Sequence, residues 1–352
     1  MNRKEEIKRI WSECFNDSRE YVDMYFDRVY NDADGMLLER NGKVVSSLLL
    51  QRYAMLIGSR EVCVSYVAGA ATRRSARGNG YMSQLMCEAL IASRERGDML
   101  CTLIPAHDWL YFFYDRFDFS TVFYVDRQRF TSLHAFSGEG DYHSVDYAFS
   151  DDVYRAFSDM ERSRDGMVLH SKRDFLNILD DLRMDPDGRF VVMADDHDDV
   201  AAMAWATATP HMVTVRELLG RDDGTRKAAL RELRRHYPDR PFTVLAPAAD
   251  GSRRLYARGM GRIVNVELCL SALTESAPQW ASVIKVTDRL MPENSHIYRV
   301  ESGAVTIDDS YTGHLDLDVT LEVLNRLVFS SPRMGEIIGI PSVRPHLSLM
   351  LD

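Results

Sequence analysis

From Val62 to Leu90 the chain passes from an apolar strand, through a basic loop bearing glycines, into an amphipathic helix. This order of elements narrows the fold more than any other feature. The strand reads Val62-Cys63-Val64-Ser65-Tyr66-Val67-Ala68-Gly69-Ala70-Ala71-Thr72, and the loop Arg73-Arg74-Ser75-Ala76-Arg77-Gly78-Asn79-Gly80. Met82, Leu85, Met86, Ala89 and Leu90 then fall on one helical face, and Gly97 marks the stop. Such a loop offers unpaired backbone N–H groups at the positive end of a helix dipole. That arrangement takes an anion, and phosphate is the expected one. An ordinary strand–turn–helix with surface arginines is the alternative that the loop alone leaves open. No Gly-Lys-Ser/Thr follows, which argues against a Walker loop, and a whole hairpin precedes the strand, which argues against a first-strand dinucleotide fingerprint.

The neighbouring segments continue the pattern. Met36 to Leu50 reads as a hairpin turning at Asn41-Gly42, a type I′ signal. Gly69 inside the strand predicts a bulge or a close backbone approach. Met99 to Ile104 reads as a second buried strand ending at Pro105, followed by Leu110-Tyr111-Phe112-Phe113-Tyr114-Asp115-Arg116-Phe117-Asp118-Phe119. In this order the elements resemble the GNAT superfamily of acyl-CoA N-acyltransferases. The family's pyrophosphate loop, Q/R-x-x-G-x-G/A, falls on Ser75 to Gly80, with Ser75 in place of Gln or Arg. Its FY-x-R-F-G-F signature falls on Phe113 to Phe119, with Asp118 in place of glycine. The resemblance implies that Ser75, Ala76, Arg77, Gly78, Asn79 and Gly80 hold the coenzyme's pyrophosphate. It likewise implies that Val67, Ala68, Gly69 and Ala70 hold the pantetheine arm between splayed strands.

At 352 residues the chain is too long for one such domain. Its 45% apolar and 27% charged content is that of a soluble globular protein. The net charge of −10 argues against nucleic acid as a partner. No apolar run approaches the roughly 18 residues needed to span a bilayer, and the charged start, Met1-Asn2-Arg3-Lys4-Glu5-Glu6, lacks a signal segment. Cys14, Cys63, Cys87, Cys101 and Cys269 form no CxxC pair and read as reduced thiols of a cytoplasmic protein. The ten histidines show no ligand spacing, so no metal is implied.

The middle of the chain repeats the pattern. A hairpin (Phe190 to Ala194 and Val200 to Thr207), a strand from Met212 to Leu218, a helix from about Thr225 to His236 and a strand from Phe242 to Ala246 follow in order. The segment Leu255 to Gly261, with Tyr256, echoes the Tyr114 segment. Here the loop is Gly220-Arg221-Asp222-Asp223-Gly224, whose carboxylates would repel a pyrophosphate. This copy is expected to bind no coenzyme. Short strands at Ser282 to Asp288, Ser295 to Val300 and Ala304 to Asp308, then a helix through Leu321, Leu324 and Val328, form a small tail. The run Leu347-Ser348-Leu349-Met350-Leu351 before Asp352 reads either as a docked strand with a fixed carboxylate or as a final sheet strand whose carboxylate meets water.

Two GNAT-like units and a small α+β tail resemble the enhanced intracellular survival (Eis) acetyltransferases, whose tail is sterol carrier protein-like. The expected fold is therefore α+β: domains at 1–132 and 133–274 with mixed central sheets, then a sterol carrier-like domain at 275–352. The resemblance implies Tyr114 as general acid, the carboxylate of Asp352 as general base, and a homo-oligomer, a hexamer if the family's assembly is kept. Leu351 stands where the family has an acidic residue. The chemistry fits these roles. An amine acceptor must lose a proton, a departing thiolate must gain one, and a tyrosine with a reference pKa of about 10 can donate it. A backbone N–H in the Val67 to Ala70 bulge suits a developing oxyanion. With no Ser-His-Asp or Cys-His arrangement evident, direct transfer in a ternary complex is expected. Trp11, Phe15, Tyr21, Tyr25 and Phe26, with Glu13, Asp17, Asp23 and Asp27, are either helix core or an acceptor lining. The expected activity is acetyl-CoA-dependent N-acetylation of a small-molecule or lysine amine. A lipid-binding protein and a silent oligomeric scaffold are the alternatives.

Overall fold

Asn41 and Gly42 take φ of 51° and 72°, the paired left-handed geometry of a type I′ turn, and close the first hairpin. The computed structural model describes residues 2–138, 140–146, 150–248, 255–330 and 332–351. In chain order the first elements are α1 (Arg3–Cys14), α2 (Arg19–Met24), β1 (Gly35–Arg40), β2 (Lys43–Ile57), β3 (Arg60–Thr72), α3 (Tyr81–Glu95), β4 (Leu100–Leu103), α4 (Asp108–Asp115) and β5 (Ser120–Phe130). Next come β6 (His143–Val145), α5 (Asp151–Arg162), β7 (Val168–Leu169), α6 (Lys172–Met184), β8 (Arg189–Ala194), β9 (Val200–Thr209), β10 (Met212–Gly220), α7 (Asp223–His236), β11 (Phe242–Pro247) and β12 (Leu255–Ile263). The last are α8 (Val266–Ser276), β13 (Ser282–Thr287), β14 (Ile297–Glu301), β15 (Ala304–Ile307), β16 (Leu317–Thr320), α9 (Leu321–Phe329) and α10 (Pro332–Ile338).

The chain divides into two units. One comprises Met1–Phe123 and Arg258–Pro345, the other Tyr124–Ala257 and His346–Leu351. In the first unit β1, β2 and β3 are antiparallel, and β4 joins β3 in parallel, as a strand must when a helix makes the crossover. In the second unit β8, β9 and β10 are antiparallel and β11 joins β10 in parallel, with α7 as the crossover. Each sheet then takes its next strand from the other half of the sequence. β12 runs antiparallel to β4 in the first unit (Met260 opposite Leu103), and β5 runs antiparallel to β11 in the second (Phe130 opposite Phe242). In each unit parallel and antiparallel pairs are mixed, as expected.

The first unit also holds a smaller sheet in the order β15-β14-β13-β16, in which only the β13–β16 pair is parallel. The strands expected in the tail are present, and Leu317–Thr320 adds one that the sequence reading ran into the helix. A buried ion pair ties this part to β12: Arg262 gives both Asp288 carboxylate oxygens a hydrogen bond, at 2.7 and 2.9 Å, and gives a third to the Phe117 carbonyl at 2.8 Å. Neither side chain of the pair is exposed, so each charge depends on the other.

The run Leu347–Leu351 is buried, as a docked segment would be, yet it is not a strand. Its pairing is confined to one bridge, between His346 and Met167. The period-two pattern of leucines reflects burial, not a ladder. Among the described residues no helix is long and apolar enough to cross a membrane.

Candidate active site

The β3–β4 ladder is short. Val64, Ser65 and Tyr66 pair with Leu100, Cys101 and Thr102, and there the pairing stops. β3 runs on beside β2 to Thr72, but its register slips: Ala68 faces Leu49 and Ala71 faces Ser47. Gly69 and Ala70 together therefore oppose the single residue Leu48, a β-bulge. Gly69 has φ of +58°, and a Cβ built on it would lie 2.2 Å from Cζ3 of Trp11. Glycine is required there twice over, by the left-handed backbone and by the indole packed on it. Trp11 is 3% exposed and donates its indole N–H to Asp17 at 2.7 Å. The strand edge from Val67 to Ala70 thus parts from β4 at a rigid bulge.

The glycine-bearing loop follows directly. Gly78 and Gly80 have φ of 82° and 75°, and a Cβ on either would meet nothing within 4 Å. They serve the turn of the chain, not close packing, and leave space beside the backbone. Asn79 pins the loop by donating to the Ala76 and Arg77 carbonyls at 3.1 and 3.3 Å. Gly80 caps α3 without a side chain, and the first turn carries no acidic residue. Its N–H groups are left for an anion. Of the loop arginines, Arg73 turns away: it donates to Glu13 at 3.0 Å, Glu6 at 3.1 Å and the Val44 carbonyl at 2.8 Å. Arg77 keeps one bond, to the Thr72 carbonyl at 3.2 Å, and the Arg74 side chain has no partner among the described residues. The basic character of the loop rests on Arg74 and Arg77.

Tyr114, in the last turn of α4, is 7% exposed and packs in one apolar cluster with Val67 of the bulge edge, Met86 of α3 and Leu103 of β4. Ala70 packs against the same cluster. Burial pushes the phenol up to about 12, with the neighbouring Cys101 thiol adding to the rise. The hydroxyl has no hydrogen-bond partner among the described residues. Four residues on, Asp118 has φ of +59°, the conformation for which the signature uses glycine. Its carboxylate accepts from Arg289 at 2.9 Å. The substitution thus keeps the turn and adds a tie to the segment after β13. Asp352 lies outside the described residues.

The N-terminal aromatics are core: Trp11, Tyr25 and Phe26 are buried, with Trp11 between the other two rings at 4.8 and 5.7 Å. The acidic residues beside them are engaged, Glu13 with Arg73, Asp17 with Trp11, Asp23 with Lys8 and Asp27 with Lys4. In the second unit, the Asp222 carboxylate accepts from the Thr225 N–H at 2.8 Å and the Thr225 hydroxyl completes a capping box. That helix N-terminus is satisfied from within. Tyr256 does not repeat Tyr114: it lies on strand β12 with the Arg127 guanidinium 4.4 Å from its ring centroid. Asp195, Asp196 and His197 bring ligand atoms within 4.8 Å of one another on the β8–β9 turn, where Asp195 already accepts backbone N–H groups from His197 and Asp199. Sequence reasoning missed Trp11 as the partner of Gly69 and the Arg262–Asp288 pair. An arginine in a strand as apolar as β12 was the available signal.

Residues 2–122 match the family model described as an acetyltransferase (GNAT) domain. This segment is similar to a GNAT acetyltransferase domain. No curated protein matches the chain in sequence. Over nearly its full length the chain is similar in fold to three solved structures. One is a protein of unknown function from Enterococcus faecalis titled a probable N-acyltransferase, at a TM-score of 0.81 and 14% identity, covering 98% of this chain and 96% of that one. A GCN5-related N-acetyltransferase from Anabaena variabilis gives 0.74 and 16%, with 97% and 91% covered. Eis1 from Mycobacterium abscessus gives 0.73 and 15%, with 97% and 91% covered. At these identities the likeness is one of fold. The GNAT domain match contains the bulge, the glycine loop and Tyr114.

Proposed function

We propose that the protein is an acetyl-CoA-dependent N-acetyltransferase that acts on a primary amine of a small molecule or a lysine by direct attack in a ternary complex. The observation that carries this reading is the meeting of three features in one domain: the strand fork at Val67–Ala70, the uncapped N-terminus of α3, and Tyr114 in the same cluster. An acyl-CoA fits them. Its pyrophosphate suits the N–H groups of Ser75 to Gly80 and the first turn of α3, with Arg74 and Arg77 supplying charge. Its pantetheine amides suit the strand edge of Val67, Ala68, Gly69 and Ala70, as an added strand would.

When bound, acetyl-CoA supplies the activated acyl group. The N–H groups of the bulge would stabilise charge developing on the thioester oxygen. A carboxylate of Asp352 would take the proton of the acceptor amine, a role that rests on resemblance to the Eis family alone. Tyr114 would donate to the departing thiolate. With its phenol at about 12 it stays protonated through the neutral range. Full transfer to a thiolate whose reference pKa is about 8.5 would be uphill, so donation is concerted with cleavage of the C–S bond. In the same reading residues 1–132 form the catalytic domain, 133–274 a second GNAT-like domain without coenzyme, and 275–352 a sterol carrier-like domain of a cytoplasmic homo-oligomer.

Calorimetric titration with acetyl-CoA tests the reading, run beside Gly78→Glu and Gly80→Glu variants. Neither Cβ would meet an atom within 4 Å, so the variants spare the packing, while the left-handed backbone at each position costs about 1–2 kcal/mol. Micromolar binding that the variants lose is the expected result. A folded protein that binds no acetyl-CoA would refute the reading.

A further inference from the structure

The second unit repeats the plan of the first up to the fork and then departs from it. β10 pairs with β11 from Val213 to Val215, and just beyond, its register against β9 slips between Val215 and Glu217. In the first unit this place belongs to the edge from Val67. Here it belongs to Glu217, a carboxylate with 0% exposure. Burying a charge is costly unless partners compensate, and Glu217 has three. Arg164 Nη1 donates at 2.9 Å, the Leu218 N–H at 2.9 Å, and His346 Nε2 at 3.0 Å. An ionised carboxylate carries no proton, so the hydrogen shared with His346 sits on Nε2. Burial pushes the Glu217 carboxyl up, but Arg164 and then His346 outweigh it and hold the group well below the usual carboxylate range.

His346 comes from a remote part of the chain. It opens the stretch His346–Leu351, which returns to the second unit after the whole of Arg258–Pro345 has folded with the first. Its main chain is held as firmly as its ring: the N–H donates to the Gly166 carbonyl at 2.8 Å, and the carbonyl accepts from Val168 at 3.0 Å. Every residue from Leu347 to Leu351 is then buried, and Leu349 has φ of +54°, a conformation leucine rarely takes. Packing dictates that backbone, not local preference. Apolar burial alone needs no charges. A buried carboxylate and imidazole and a partly exposed guanidinium meeting at the head of the stretch fix its register, a role apolar side chains fill poorly.

We infer that the fork of the second unit has become a receptor for the chain's own segment His346–Leu351, with Glu217 as the residue that seats it. Glu217 acts through His346 and is a positioning residue.

Hydrogen exchange of the full chain, read by mass spectrometry on peptides covering 346–351 and 189–209, tests the inference in Glu217→Gln and His346→Gln. The second variant leaves the Glu217–Arg164 pair in place, so the sheet keeps its charge balance. Both should speed exchange of 346–351 about tenfold or more, the loss of one hydrogen bond to a charged group, with 189–209 unchanged. Wild-type exchange at 346–351 in both variants would overturn the inference. Faster exchange throughout the second unit in both would also overturn it, since the cluster would then be ordinary core.

Discussion

Gly69→Ala asks whether the bulge at the fork is built around a missing side chain. The backbone contribution comes first: an L-residue held in the left-handed region costs roughly 1–2 kcal/mol. The packing contribution follows from distance. The new Cβ would stand 2.2 Å from Cζ3 and 2.6 Å from Cε3 of Trp11, so the ring must retreat by more than an ångström to reach ordinary contact. Its retreat is blocked by Phe15, Tyr25 and Phe26, with ring centroids at 5.1, 4.8 and 5.7 Å, and by the 2.7 Å bond to Asp17. Overpacking of this kind costs about 1–3 kcal/mol. The sum is roughly 2–5 kcal/mol, and at about 2–4 °C per kcal/mol for a unit of this size the melting shift is readily measured. A double-mutant cycle separates the two parts. In a Trp11→Leu background the clash is gone, so Gly69→Ala should cost only its backbone share, and the coupling should equal the packing share of about 1–3 kcal/mol. Melting curves of the four proteins by differential scanning calorimetry supply the numbers. An equal cost in both backgrounds, or a Gly69→Ala protein as stable as the parent, would refute the reasoning.

Tyr114→Phe should lower kcat about a hundredfold and leave acetyl-CoA binding intact, since the hydroxyl supports no packing; steady-state kinetics beside calorimetry would show the split. Asp288→Asn should cost about 3–5 kcal/mol by leaving the Arg262 charge buried without its counter-ion, read as an earlier urea midpoint, whereas Arg262→Met with Asp288→Leu should recover most of the loss. Alkaline titration of stability has a definite sign. Burial raises the Tyr114 phenol from 10.0 to about 12, so the folded state holds a proton that the unfolded chain releases first. Its contribution is complete below pH 10 and drains away as the pH climbs toward 12, by roughly 2–3 kcal/mol in all. Tyr114→Phe should flatten that part of the curve measured by denaturant unfolding, and parallel curves would refute the assignment.

Local chemistry was legible and long-range choice was not. The Asn41-Gly42 turn, the bulge at Gly69 and the stop at Gly97 depend on backbone conformations that only a few residue types accept, and all three have the expected positive φ. The two leading hairpins, the crossover helices α3 and α7 and the strands β4 and β11 stand where periodicity puts them, whereas the Leu255–Gly261 segment, read as an echo of the Tyr114 segment, is a strand. Arg73 was assigned to the basic loop, but its partners Glu6 and Glu13 sit on a helix far away in sequence, and no periodicity reports that. That β12 pairs with β4 and β5 with β11 is invisible for the same reason: either strand has the composition to fill either edge. Asp118 looked like a departure from the signature because a letter was compared, whereas the constraint is a dihedral angle that aspartate can adopt.

The two copies show how little chemistry separates an open anion site from a closed one. α3 is capped by Gly80 and α7 by Asp222, with strand, turn and helix otherwise in the same order. A glycine there leaves the first N–H groups pointing at whatever lies outside. An aspartate folds its own carboxylate onto them, satisfies the helix dipole and gains stability from doing so. In the second copy the Asp222 side chain thus occupies N–H groups that Gly80 leaves open in the first. At the fork beyond it, a charge as demanding as Glu217 is buried where Arg164 and His346 supply its partners.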